Sequence, residues 1–130
     1  MDGKITVLLV ERDPQVAQLI LLLLAAPDAP RRRFETVRVE DVEAGLRSLA
    51  RGDKVDAVLL GMPRDGSRTL ERLRALRRRA PGVPIVALVE AGAEARGREA
   101  VKFGAEGFQV RGRLDSGALK RSLSGEAVGA

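Results

Sequence analysis

Five short runs of strand-forming residues alternate with segments of helical periodicity, and this alternation limits the possible folds more than any other feature of the sequence. The run ITVLLV consists of β-branched residues and leucine, and IVALV is apolar throughout, which is typical of buried strands. Asp13, Asp41 and Asp115 stand where they can cap helices, and Pro14 suits a first helical position. The predicted strands are residues 5–10, 34–39, 55–60, 85–89 and 108–110. The predicted helices are residues 14–25, 41–51, 67–80 and 93–103, with a last helix after residue 115.

The polarity of each run predicts its place in the sheet. Five β–α units form a parallel sheet with helices on both faces, and the central strands of such a sheet are apolar throughout. Runs one, three and four fit the centre, whereas runs two and five carry Glu35, Arg38 and Gln109 and fit the edges. The order 2-1-3-4-5 meets both conditions and predicts an α/β, flavodoxin-like (βα)5 three-layer sandwich. We expect one domain over residues 1–124 and a flexible tail at 125–130.

Composition excludes several classes of function. The chain has no cysteine and no histidine, so it has no thiolate or imidazole to act as a metal ligand, nucleophile or general base. We therefore expect no enzyme activity and no cofactor. The longest apolar stretch, residues 19–26, is far shorter than the ~20 residues of a membrane span. No signal peptide precedes it, and we expect a cytoplasmic protein.

The strand order also predicts where a ligand would bind. Open α/β sheets bind ligands beyond the carboxyl ends of their strands, where the strand order reverses. In this sheet that point lies between strands one and three. The residues expected to line the crevice there are Glu11, Arg12, Asp13, Gly61, Met62, Val89, Glu90 and Arg111.

Four stretches in this arrangement resemble response-regulator receiver domains, over residues 4 to about 124. They are VLLVERDP after strand one, VDAVLLGMPRDG around strand three, VPIVALVEA at strand four and GAEGFQVRGRLD at strand five. The Gly104–Ala105 pair and the aromatic Phe108 are the more specific part of the match. The resemblance implies the receiver fold, Mg²⁺ binding and transfer of a phosphoryl group onto an aspartate.

The sequence departs from the receiver pattern at the positions that carry this chemistry. Glu11 matches the first acidic position, but Arg12 stands at the second, which is the more direct metal ligand. Gly61 stands where the resemblance places the phosphoacceptor aspartate, and Val89 where it places a hydroxyl residue. Arg111 replaces the lysine, keeping the charge but not the geometry.

These departures predict a degenerate receiver, or pseudo-receiver, which signals without phosphorylation. Mg²⁺ needs several hard oxygen ligands, and two guanidinium groups in the crevice would repel it, so we expect no metal site. We expect Glu11 to pair with Arg111 or Arg12 and to close an empty pocket, and Asp13 to serve as a helix cap. The alternative that Arg12 and Arg111 hold an anion at the start of the first helix stays open.

Two further alternatives concern chemistry and nucleic acid. Asp56 or Asp65 would have to replace the acceptor if the chain took phosphate, but Asp56 stands at the wrong end of strand three and Asp65 in a loop. A basic nucleic-acid-binding protein is the other alternative, because the net charge is +5 and five arginines occur between residues 72 and 79. No aromatic platform accompanies them in the sequence, which argues against this function.

The favoured function needs a protein partner. The resemblance implies contact through the fourth helix, fifth strand and fifth helix, with Phe108 as the switch residue. The fourth helix is expected to be weak, interrupted by Gly97 and stopped by Gly104. The side chains expected on the interface are Arg96, Arg98, Lys102 and Lys120. In the first helix, the run LILLLL at 19–24 places apolar residues all round, which gives a hint of a homodimer.

Overall fold

The computed structural model describes residues 3–27 and 32–125, in which five strands alternate with five helices. The strands are β1 (Gly3–Val10), β2 (Arg32–Val39), β3 (Ala57–Gly61), β4 (Ile85–Val89) and β5 (Gly107–Val110). The helices are α1 (Pro14–Ala25), α2 (Val42–Ala50), α3 (Thr69–Arg79), α4 (Glu94–Lys102) and α5 (Ser116–Leu123). A single 3₁₀ turn, Arg111–Arg113, follows β5.

All neighbouring strands are parallel, in the order β2-β1-β3-β4-β5. Every residue of β4 is buried, as are the first four of β3, because both strands have helices on each face. β2 and β5 form the edges, where their polar side chains reach water. The predicted fold class and strand order are therefore confirmed.

Alternate side chains of each strand enter one of two cores. Val7 and Leu9 of β1 pack with α1 and α5, whereas Leu8 and Val10 pack on the opposite face with α2, α3 and α4. This alternation follows from the two-residue period of a strand. The C-terminal ends of β1, β3, β4 and β5 thus form one edge, with a helical layer on either side.

The predicted caps are present. Asp13 accepts a hydrogen bond from the backbone N–H of Gln15 (2.8 Å), Asp41 from that of Ala44 (2.8 Å) and Asp115 from that of Ala118 (2.8 Å). Each aspartate satisfies one of the N–H groups that a helix start leaves without a partner.

Four predicted starts are shifted by two residues. β1 and β2 begin two residues earlier than predicted. β3 begins at Ala57 rather than at residue 55, and Asp56 just before it bonds Thr6 twice: its carboxylate accepts the Thr6 N–H (2.8 Å) and its own N–H donates to the Thr6 carbonyl oxygen (2.7 Å). α3 begins at Thr69 rather than at residue 67, because Arg68 has a left-handed backbone conformation (φ 59°) that no helix continues through.

The predicted interruption of α4 at Gly97 is wrong, since α4 is continuous from Glu94 to Lys102. Gly97 is buried against the ring of Phe108 and is needed for close packing rather than for a break. Gly104 follows the helix with φ 113°, as expected of a residue that stops one.

The last helix of the chain is present after Asp115, as predicted. α5 ends at Leu123, and residues 126–130 of the expected tail lie outside the described residues. Within residues 3–27 and 32–125, every helix is too short to cross a membrane.

Candidate functional site

A cleft of about 280 Å³ lies at the C-terminal edge of the sheet, between the ends of β1, β3 and β4. Its position is the one predicted from the strand order. Its lining residues are Val10, Glu11, Arg12, Glu40, Asp41, Val42, Gly61, Met62, Pro63, Arg64, Arg72, Glu90 and Arg111.

The floor of the cleft is an ion pair between Glu11 and Arg111. Arg111 donates to Glu11 Oε1 through Nη2 (2.9 Å) and Nε (3.2 Å). The second carboxylate oxygen, Oε2, accepts the backbone N–H of Asp13 (2.9 Å). The Glu11 side chain is only 3% exposed and that of Arg111 13%, so the pair is largely withdrawn from water. Of the two partners expected for Glu11, the structure thus shows Arg111. Both carboxylate oxygens of Glu11 accept hydrogen bonds.

Arg111 is held in place by further contacts around the cleft. Its Nη1 approaches the carbonyl oxygen of Met62 at 3.4 Å and Oε1 of Glu90 at 3.5 Å. It begins the 3₁₀ turn after β5, which brings the side chain across the ends of β4 and β3. One guanidinium therefore joins groups from the ends of three strands.

Arg38 is a site residue that the sequence did not indicate. Near the end of β2, it donates to the carbonyl oxygen of Glu11 through Nε (3.0 Å) and Nη2 (2.9 Å), and to that of Arg12 (3.0 Å). These bonds fix the loop between β1 and α1 and so set the position of the Glu11 carboxylate. The sequence did contain one signal for this role: Arg38 stands one residue before the carboxyl end of a predicted strand, the edge of the sheet at which the site was expected.

Gly61 leaves room for the ion pair. A Cβ atom at this position would lie 2.8 Å from Glu11 Oε1, 2.9 Å from the carbonyl oxygen of Val10 and 3.0 Å from Arg111 Nη2. All three separations are shorter than ordinary contacts. The pair therefore occupies the space beside the backbone where the resemblance would place an acceptor side chain.

The other predicted pocket residues divide into two groups. Arg12, Met62 and Glu90 line the cleft, with Arg12 exposed at its rim. Asp13 and Val89 do not line it: Asp13 caps α1, and Val89 is buried in the core beneath α3 and α4. The prediction that Asp13 and Val89 line the pocket was wrong. A position at the end of a strand does not determine which way its side chain points.

Four charged lining residues were also missed, namely Glu40, Asp41, Arg64 and Arg72. Glu40 and Asp41 directly follow β2, a strand end that the prediction did not consider. Arg64 lies in the loop after β3 and Arg72 in α3, where no strand-end rule places them. With these residues the cleft has four carboxylates and four guanidinium groups. This balance removes the electrostatic support for an anion in the cleft.

The residues of the cleft do not fit the Mg²⁺ that the receiver fold implies. The first acidic residue, Glu11, has both oxygens engaged by Arg111 and by a backbone N–H. Position 12 carries a guanidinium and position 61 has no side chain. Magnesium requires near-octahedral oxygen ligands, and these three positions supply no free carboxylate oxygen. Among the described residues, no group of three or more acidic side chains is placed to hold a metal ion.

Asp56 and Asp65 lie away from the cleft. Asp56 is at the opposite end of β3, bonded to Thr6 N–H. Asp65 is exposed in the loop before α3, where its Oδ1 accepts the N–H of Ser67 (2.9 Å), a bond that lowers the pKa of the Asp65 carboxyl. Hydrogen bonds from backbone N–H groups, one of β1 and one of the loop before α3, account for both aspartates.

The switch position, Phe108, packs directly on α4. A Cβ on Gly97 would lie 2.3–2.8 Å from three atoms of the Phe108 ring. Phe108 is partly buried and belongs to the core shared with α4. The Phe108 ring can thus lie against α4 because Gly97 has no side chain.

The predicted interface residues on α4 have different surroundings. Arg98 and Lys102 are exposed, next to the exposed Val101. Arg96 instead lies over Gly66 in the loop before α3 and forms a 3.9 Å ion pair with Glu99. The Arg96 side chain therefore lies on the side of α4 that faces the loop before α3, and it is only partly available to a partner.

Lys120 is not a surface residue, and its predicted interface role is wrong. Its side chain is 1% exposed, its Nζ donates to the carbonyl oxygen of Ala26, and it lies 5.7 Å from the centroid of the Phe34 ring. The signal was in the sequence: Ser116, Leu119, Lys120 and Leu123 have the spacing of one helix face. Lys120 belongs to the contact between α5 and α1.

Several solved structures have the same fold as this chain, and receiver domains are among them. The N-terminal receiver domain of a two-component response regulator from Bacteroides fragilis is 22% identical over 100% of both chains, with a TM-score of 0.76. The pilus assembly protein CpaE from Caulobacter crescentus is 20% identical over 93% of this chain and 92% of that chain, with a TM-score of 0.74. A response regulator receiver protein from Sinorhizobium medicae is 21% identical over 94% and 93%, with a TM-score of 0.70.

Neither a protein-family model nor a curated protein matches this chain. The structural likeness shows that the chain has the fold of response-regulator receiver domains. The resemblance noted in the sequence is confirmed at the level of that fold.

Proposed function

We propose that this chain is a pseudo-receiver: a receiver-like signalling module that acts by protein–protein contact without phosphorylation. The observation that carries the proposal is the buried Glu11–Arg111 pair, which fills the space beside Gly61. The ion pair stands where a receiver would have its acceptor and its metal, and both oxygens of the Glu11 carboxylate already accept hydrogen bonds. The proposal includes a cytoplasmic location and no catalytic activity.

The proposed mechanism relies on a single conformational state. A receiver that is phosphorylated uses the new group to shift an equilibrium between two conformations. In this chain the ion pair links the ends of β1 and β5 permanently, and the Phe108 ring is seated against Gly97. The surface around Phe108 would therefore be presented to a partner at all times.

The face formed by α4, β5 and α5 is the best supported partner surface. Arg98 and Lys102 are exposed there on either side of Val101, which is 43% exposed. Arg113 of the 3₁₀ turn pairs with Glu94 and ties α4 to the chain after β5. A short apolar contact flanked by cations suits an acidic partner with an apolar residue at its centre.

The phosphorylation arm of the proposal is tested on the intact protein. Incubation with acetyl phosphate and Mg²⁺ should leave the intact mass unchanged, and millimolar Mg²⁺ should not raise the melting temperature. A stable gain of one phosphoryl group that hydroxylamine removes would overturn the proposal and favour a relocated acceptor carboxylate.

The partner arm is tested by charge reversal on two helices. Partners are captured with the native protein and identified by mass spectrometry, and their binding is then compared between variants. Arg98→Glu with Lys102→Glu should weaken the complex, whereas Arg74→Glu with Arg78→Glu on α3 makes the same charge change and should not. The reverse result would show that the interaction face has been placed wrongly.

A further inference from the structure

The outer face of α1 is exposed, apolar and free of charge. Leu22 is 61% exposed, Leu19 44% and Leu21 36%, and the first two are the most exposed large apolar side chains among the described residues. Charged residues make up 32% of the chain, yet Pro14–Ala25 contains none of them. An exposed apolar surface of this kind marks an interaction site more often than it marks plain surface.

Most of the exposed residues of α1 form one stripe along the helix, with the exposed Leu21 at its flank. Ala17, Ile20 and Leu24 face the core, and the opposite side of the helix carries only neutral side chains. That side, here called the α1 stripe, consists of Gln15, Gln18, Leu19, Leu22 and Ala25. Its spacing is that of a helix surface which packs along another helix.

We propose that the α1 stripe binds a second copy of this chain across a two-fold axis. Two copies of a chain with net charge +5 repel each other, and a two-fold contact sets the same surface patch of both copies face to face. A patch that carries an excess of positive charge would therefore repel its copy at such a contact. The α1 stripe avoids this, because it supplies apolar and amide groups only.

The two copies of α1 are antiparallel in this dimer. In a parallel pair, Asp13 of each copy would face the other at the start of the helix, as would the exposed Arg12. In an antiparallel pair, Asp13 instead faces the uncharged end formed by Ala25, Ala26 and Pro27. The two helix dipoles then point in opposite directions, which places the positive end of each helix near the negative end of the other. The inference goes beyond the proposed signalling function and does not depend on it, because the α1 stripe lies away from α4.

The oligomeric state tests the proposal without any unknown ligand. Light scattering or sedimentation of the native protein over a roughly hundred-fold concentration range should show a monomer–dimer equilibrium. Leu22→Lys should weaken the dimer at least about ten-fold. Val101→Lys makes the same charge change at an exposed apolar residue on α4 and should leave dimerisation unchanged. Circular dichroism and the melting temperature show that both variants remain folded, as expected for exposed positions.

Cysteine cross-linking tests the orientation, with no native cysteine to interfere. Gln15→Cys mixed with Ala25→Cys should form a disulfide-linked dimer on oxidation, whereas Gln15→Cys alone should not. A strictly monomeric protein, or equal disruption by Val101→Lys, would overturn the proposal. A Gln15→Cys self-cross-link, or assembly beyond the dimer, would overturn the antiparallel two-fold contact. Each of these outcomes leaves the phosphorylation test unaffected.

Discussion

Glu11, Arg111 and Gly61 are three residues that depend on one another. The guanidinium is stable inside the protein because the carboxylate is there, and both fit because position 61 has no side chain. A buried charge without its partner is costly, whereas a buried pair contributes little more than a well-packed apolar pair. The effect of changing one residue at this site therefore depends on the other two.

Removing one charge of this pair should be much worse than removing both. Arg111→Met leaves Glu11 buried and unpaired and should lower the free energy of unfolding by about 3–5 kcal/mol. Glu11→Gln combined with Arg111→Met should recover most of this loss, because no buried charge remains. Urea denaturation of the two single variants and the double variant measures the coupling, and simple additivity would contradict the buried pair.

Restoring the acceptor by Gly61→Asp should damage the protein rather than rebuild a metal site. The new Cβ would crowd the Val10 carbonyl, and the new carboxylate would lie beside Glu11. We expect a stability loss of roughly 1–3 kcal/mol and no gain in melting temperature with Mg²⁺. Arg111→Lys in the same chain removes part of the crowding and serves as the comparison. Mg²⁺-dependent stabilisation of Gly61→Asp alone would count against this account.

Single residues were predicted well where a strand end or a helix start determines their position. The caps Asp13, Asp41 and Asp115 follow from such local rules. For Glu11 the sequence left Arg111 and Arg12 open as partners, and the structure shows Arg111. Arg38 and Lys120 did not follow, because both are long side chains that reach backbone carbonyls on other elements. A local pattern shows where such a side chain starts but not where its charged end is bound.

At the scale of the element, α4 packs closely on β5 because of Gly97, a residue type that ordinarily weakens a helix. Glycine costs about 1 kcal/mol in a helix relative to alanine. In α4 the ring of Phe108 occupies the space that a side chain at Gly97 would take. The glycine therefore lets the helix lie against the ring, and the sequence rule that glycine interrupts a helix did not hold.

The sign of the effect of Gly97→Ala tests this explanation. Helix propensity alone predicts a gain of about 1 kcal/mol, whereas the contact with Phe108 predicts a loss. We expect the melting temperature to fall, and Phe108→Ala to relieve the penalty when both changes are combined. A rise in melting temperature for Gly97→Ala alone would show that the ring moves aside freely.

At the scale of the whole molecule, the strand order was predictable because burial and polarity separate central strands from edge strands. Three continuous apolar runs belong in the middle of a five-stranded sheet, and the two runs with charged or amide residues belong outside. The composition of the cleft was less predictable, because loops and α3 contribute half of its charged groups.

The net charge of +5 should give only weak binding to nucleic acid. One arginine of the basic run, Arg77, is committed internally: it donates to the carbonyls of Val83 (2.6 Å) and Gly104 (3.0 Å) and pairs with Glu106 (3.1 Å). Arg74 and Arg78 remain exposed and can contact phosphate. Fluorescence anisotropy with a labelled single-stranded oligonucleotide should show affinity that collapses as salt rises. Tight, sequence-dependent binding at physiological salt would instead support the nucleic-acid alternative.

The contact between Glu11 and Arg111 joins residues 100 positions apart, at the ends of strands that are not neighbours. β3 and β4 must be in place between them before the two side chains can meet. Contacts that need most of the chain to be assembled form late in folding, so they contribute to the unfolding barrier rather than to the folding rate. In stopped-flow experiments, Arg111→Met should therefore accelerate unfolding and leave refolding almost unchanged. The ion pair in the cleft would then act on the lifetime of the folded state, since it must break before the molecule unfolds.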